Sequence, residues 1–129
     1  MTKLLLIALG GALGSLARYG VSSIADEKYA GLFPISTLTV NLTGSFIIGL
    51  LWGMANGLNI HPNIMAFLFV GLLGGFTTFS SYSLETLNLL RDGDYKLAMY
   101  SVLLNNVAGI LLAFIGLMLA KQALQYYGK

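Results

Sequence analysis

The chain has 129 residues, of which 57% are hydrophobic and 9% charged, with a mean hydropathy of +0.79. That balance belongs to membrane proteins rather than soluble domains. No cysteine and a single histidine exclude a disulfide framework and a thiolate or zinc centre, and a scattered net charge of +2 excludes a nucleic-acid surface.

Four apolar segments are long enough to cross ~30 Å of hydrocarbon. They run Leu4–Ala25, Ile35–Ala55, Ile64–Leu90 and Leu97–Ala120. The residues left over are too few to bury a soluble core, so the expected architecture is one all-α, four-span membrane domain acting inside the bilayer. The run after Lys3 is too long for a signal peptide and reads as a retained first span.

In that span Gly10, Gly14 and Arg18 recur every four residues and share a face. Small residues there let a second helix approach closely. Arg18 lies roughly 22 Å past Lys3 along a helix. Two readings stay open for it: a snorkelling anchor at the far interface, or a cation at a pore mouth. Asp26-Glu27-Lys28 marks the return to water.

Pro34 suits the start of the second span. Thr37, Asn41, Ser45, Gly49 and Gly53 then form one polar-to-small stripe. Leu38, Leu42, Phe46, Leu50 and Leu51 lie away from it and are expected to face lipid. The stripe predicts a helix seam, and Asn41 adds an amide with two donors and two acceptor sites. His61, in the following loop, is expected to be an interfacial residue.

The third span cannot run as a regular helix. Gly74-Gly75 costs roughly 1 kcal/mol of helix propensity per glycine. Phe76, Thr77, Thr78 and Phe79 then lose side-chain freedom against the preceding turn. Four hydroxyls follow within residues 77–81, where a lipid-facing helix would carry leucine. Non-helical backbone at membrane depth is tolerated only where protein or a watery cavity satisfies it. A helix break at Gly74–Thr78, facing the interior, is therefore expected. Its bared carbonyls suit a cation and its amides an anion. The competing reading is a glycine packing notch. Beyond the break Phe79 and Tyr82 share a face, with Thr78, Ser81 and Glu85 on a neighbouring one. Glu85 is the only acid within any span; it either joins this polar track or snorkels at the helix end. In the fourth span Ser101, Asn105, Gly109 and Ala113 recur every four residues, beside Asn106. Adjacent asparagines in a membrane helix are costly unless paired, so bonds to another span are expected, with the lining of a path as the alternative.

Four spans put both termini on one side. Lys3, Lys121 and Lys129 there balance Lys28, Arg91 and Lys96 opposite, so the positive-inside rule selects no orientation. A chain that inserts both ways can form a dimer of opposed copies whose breaks meet at mid-membrane.

Three motifs resemble one family. They are Gly11, Gly14 and Arg18 as Gly-x-x-Gly-x-x-x-Arg, the run Thr37–Gly44, and the specific run Gly74–Glu85. Together they are similar to the Fluc/CrcB fluoride channels over the whole chain. The resemblance implies a fluoride-selective channel in the cell membrane, giving passive electrogenic efflux. It implies an antiparallel dimer with a second copy of the chain or a closely related subunit. It also implies a structural sodium ion between the two breaks. On this sequence the sodium carbonyls fall on Gly74 and Thr77, and the pore aromatics on Phe79 and Tyr82. The pore asparagine falls on Asn41, the vestibule arginine on Arg18, and the hydroxyls and polar track on Thr78, Ser81 and Glu85. Thr37, Ser101 and Asn105 are further candidates for that track. The family usually carries phenylalanine at Tyr82, whose hydroxyl could replace or block a ring-edge contact. Two rivals are a proton-coupled small multidrug exporter and a non-transporting assembly subunit. The first needs a membrane carboxylate, typically in the first span, and Leu4–Ala25 has none. An enzyme is not expected, because no nucleophile–base pair stands at plausible spacing.

Overall fold

The computed structural model describes residues 1–127. Lys129, counted in the charge balance above, lies outside them. Among the described residues, four helices are long and apolar enough to cross a membrane: Thr2–Lys28, Ile35–Gly57, Pro62–Arg91 and Tyr95–Tyr126. The first runs on through Asp26-Glu27-Lys28 before Tyr29 turns extended. Hydropathy ends a span at the first charges, whereas charged straight-chain residues such as Glu27 and Lys28 are good helix formers.

The third span starts on a cap. His61 accepts the Asn63 N–H on Nδ1 at 3.1 Å, with Pro62 in the first turn. Ala66–Leu73 is wound as a π-helix and Gly74–Phe76 returns to α geometry. The chain then leaves the helix at Thr77 (φ −77°, ψ 158°) and Thr78 (φ −147°, ψ 112°), and Phe79–Arg91 resumes it. The break is thus narrower than the expected Gly74–Thr78. Gly74 itself is helical, with φ −64° and ψ −33°. The β-branched threonines take the extended backbone, which suits them. Gly75 stays in the helix, and the first span leaves no room for a side chain on it: a Cβ there would lie 2.5 Å from the Gly11 carbonyl oxygen. Notch and break are both present, at Gly75 and at Thr77–Thr78, with helical Phe76 between them.

Packing follows the glycines. Gly10 and Gly14 of the first span face the third span at Gly71 and Leu72. Gly49 and Gly53 of the second span lie against the fourth, at Ala113 and Ala120. Gly44 leaves room for the Thr77 methyl group, which brings the second span against the break. The leucine row of the second span, expected to face lipid, is only partly exposed. Leu38 is buried, Leu42, Phe46 and Leu50 are half-buried, and Gly116 packs on the backbone of Phe46 and Leu50. The second helix is enclosed on several sides, so both its faces are used. Leu5, Leu9, Leu13 and Leu16 of the first span are exposed and supply apolar outer surface instead. The fourth span carries its own π-wound stretch, Leu104–Ala108, at the two asparagines. Such windings re-aim side chains and are frequent at functional sites.

Candidate functional site

The break opens on a cavity of about 330 Å³ between the second, third and fourth spans. Asn41, Ser45, Thr77, Thr78, Asn105 and Asn106 form its polar wall. Phe69, Phe79 and Tyr82 form its aromatic wall.

Asn41 clasps the broken backbone. Its Oδ1 accepts the Thr78 N–H at 2.9 Å, and its Nδ2 donates to the Thr78 carbonyl at 3.1 Å. The side-chain amide thereby replaces the peptide partner that a strand would supply. The second Nδ2 hydrogen goes to Asn105 Oδ1 at 2.9 Å, and Asn105 Nδ2 donates to the Ser101 carbonyl at 3.0 Å. Both donors of Asn41 are therefore engaged in holding the break.

The other polar groups at the break are capped locally. Thr77 N–H and Oγ1 both donate to the Leu73 carbonyl, at 3.0 and 2.9 Å. Thr78 Oγ1 caps the second half-helix by accepting the Ser81 N–H at 3.2 Å, and donates to Ser81 Oγ at 3.0 Å. Among the described residues no donor reaches the Thr77 carbonyl. That carbonyl is the group at the break that could hold a cation. Among the described residues, no three His, Asp or Glu side chains gather to hold a metal ion.

Phe79 and Tyr82 meet edge-on, with ring centres 5.3 Å apart and planes at 63°. Phe79 is 75% exposed and Tyr82 only 8%. The Tyr82 hydroxyl accepts from Asn106 Nδ2 at 3.1 Å, and the same nitrogen donates to the Val102 carbonyl at 2.8 Å. The expectation that both asparagines bond to another span holds.

A second polar cluster lies further along the third span. Thr37 Oγ1 donates to Glu85 Oε1 at 2.7 Å, while Glu85 Oε2 is buried without a partner. Glu85 therefore bridges to the second span rather than snorkelling. Ser101 is fully buried against Thr86, their hydroxyls 2.9 Å apart. The cavity thus gathers Asn41, Gly74, Thr77, Thr78, Phe79, Tyr82 and Asn105. Ser81 stands just behind it, bonded to Thr78. Thr37, Glu85 and Ser101 are set apart from its wall. Arg18 is half-buried on the first span and does not line it. The cavity wall also holds Asn106, Ser45 and Phe69. Asn106 has path lining as its alternative reading and Ser45 stands one turn from Asn41 on the polar stripe, whereas nothing in the sequence points to Phe69.

These features define a multi-pass, all-helical membrane protein whose broken third helix opens on a cavity walled by polar and aromatic side chains. Residues 5–117 match the family described as "CrcB-like protein, Camphor Resistance (CrcB)", and the chain belongs to that family. It is 46% identical over 121 residues to the fluoride-specific ion channel FluC of Parabacteroides distasonis, covering 94% of each chain. Its identity to the protein of the same name from Salinibacter ruber is 47% over 116 residues, 90% of this chain and 87% of the relative. For that of Shewanella frigidimarina it is 41% over 116 residues, 90% and 94%.

Proposed function

We propose that this chain is a fluoride-selective channel that lets the anion leave the cell passively down its electrochemical gradient. The observation that carries the reading is the cavity wall itself, where the edge-on Phe79–Tyr82 pair stands with the hydroxyls of Tyr82 and Ser45, whereas those of Thr77 and Thr78 donate within the break. Fluoride is small and tightly hydrated, so a selective path must replace water with close donors. Hydroxyls and the positive edges of aromatic rings are such donors. None of them carries a full positive charge, so an anion can bind and still leave. The backbone amides at the start of the second half-helix add favourable partial charge. The names of the relatives support a channel over the exporter, the assembly subunit and an enzyme.

The proposed assembly is an antiparallel dimer with a second copy or a closely related subunit. Phe79 supports it, because a 75% exposed aromatic at a polar break calls for a further surface to complete the path. The Thr77 carbonyl, which has no donor among the described residues, fits a sodium ligand, and Gly74 is proposed to supply a second carbonyl. When bound, that ion supplies a fixed positive charge that favours a nearby anion and ties two breaks together. Arg18 is proposed as a vestibule residue that raises local anion concentration.

The test is fluoride efflux from liposomes holding the purified chain, followed with a fluoride electrode while a potassium ionophore carries the counter-charge. Fluoride leaves only when the ionophore is present, and chloride does not leave. Phe79→Ile abolishes the flux and leaves the oligomer intact. Absence of fluoride flux from the unaltered protein would refute the proposal.

A further inference from the structure

The donor accounting around Tyr82 leaves one hydrogen unassigned. The Val102 carbonyl can only accept, so the 2.8 Å contact fixes which end of the Asn106 amide is nitrogen. One Nδ2 hydrogen goes to that carbonyl and the other to the Tyr82 oxygen, 3.1 Å away. Asn106 Nδ2 then has no hydrogen left to give and cannot accept one. The phenol oxygen is therefore an acceptor toward Asn106, and its own hydrogen must point elsewhere. No acceptor for it is found among the described residues. The residue is 8% exposed and lines the cavity, so its hydroxyl is withdrawn from the protein's outer surface.

We propose that the Tyr82 hydroxyl, held by Asn106, is a hydrogen-bond donor to a small, strongly hydrated halide passing through this cavity. The inference rests on the fluoride reading and deepens it. Where phenylalanine would offer only a ring edge, this chain offers an O–H whose oxygen is already polarised by an amide donor. Bonds in such a chain strengthen one another. An oriented O–H reaches a small anion at short range, and a hydrogen bond to a charged partner is stronger than one between neutral groups. A larger, weakly hydrated halide gains less from it. Tyr82 is then a specificity-determining residue, and Asn106 positions it.

The experiment measures how efflux saturates with fluoride concentration in liposomes. Tyr82→Phe removes one oxygen and raises the half-saturating fluoride concentration about tenfold. Asn106→Leu keeps the phenol hydrogen but frees the ring, so its rise is smaller. An unchanged half-saturating concentration in Tyr82→Phe, or equal rises in both variants, overturns the proposal and makes the pair a structural tie. Should Tyr82→Phe yield no folded protein, Asn106→Asp takes its place. A carboxylate there accepts the phenol hydrogen and withdraws it from the anion, and no change in that variant overturns the proposal. Fluoride flux by the unaltered protein separates the two levels. Its absence defeats the channel reading itself, whereas flux that is indifferent to the Tyr82 hydroxyl defeats only this inference.

Discussion

Asn41→Leu removes three hydrogen bonds while keeping the side chain's approximate volume. Two of them, at 2.9 and 3.1 Å, satisfy the N–H and C=O of Thr78, and the third holds Asn105 at 2.9 Å. Interhelical hydrogen bonds in membrane proteins average about 0.6 kcal/mol each, which sets a floor of about 2 kcal/mol for the three. Thr78 is 8% exposed, so water does not readily replace the lost partner. An orphaned buried polar group costs about 1–3 kcal/mol, and two orphaned backbone groups raise the expected loss to about 4 kcal/mol. The predicted destabilisation is therefore about 2–4 kcal/mol. It is read as a shift in unfolding equilibrium on titrating a mild-detergent sample with sodium dodecyl sulfate. Fluoride flux falls as well, because the break loses its clasp. Asn41→Asp keeps only the bond from the Thr78 N–H and turns a carboxylate toward two acceptors, the Thr78 carbonyl and Asn105 Oδ1. It is expected to be at least as damaging. If Asn41→Leu unfolds within about 0.5 kcal/mol of the parent, the amide does not hold the break and the argument for the site fails.

Gly14→Ala places a methyl group on the Leu72 carbonyl and is expected to cost about 1–3 kcal/mol. Gly11→Ala meets open space and stays within about 0.5 kcal/mol, and thermal unfolding in detergent compares the two. Thr37→Val leaves Glu85 Oε1 unpaired beside an Oε2 that already lacks a partner, so stability drops by about 1–3 kcal/mol on the same measurement. If the proposed dimer is held by sodium, replacing that ion by a bulky organic cation slows fluoride efflux and promotes dissociation of the two copies. Chemical cross-linking and an electrode trace read both, and flux unaffected by sodium would count against Gly74 and Thr77 as carbonyl ligands.

The sites of these perturbations differ in how far they could be anticipated. The interruption of the third span was legible, because glycines and β-branched threonines act on their own backbone. Its extent was not, since Gly75 serves as a packing notch against Gly11, a neighbour that no local rule can see. The polar stripe of the second span was legible as a seam. The burial of Leu38 was hidden, because a helix packed on several sides carries no apolar stripe that separates core from lipid. Glu85 read equally well as a snorkelling acid or a buried one until Thr37 was found 2.7 Å away.

Hydropathy, glycine spacing and propensity by themselves determined four crossings, the place where one of them fails, and a hydroxyl–aromatic run beside the failure. Each is a property of a residue and its near neighbours in the chain. Only the tertiary structure decided which amide serves which group: Asn41 reaches Thr78 across 37 positions and Asn105 across 64, and Asn106 finds Tyr82 across 24. An amide bonds whatever complementary group lies within about 3 Å, and that neighbour is chosen by how the helices pack.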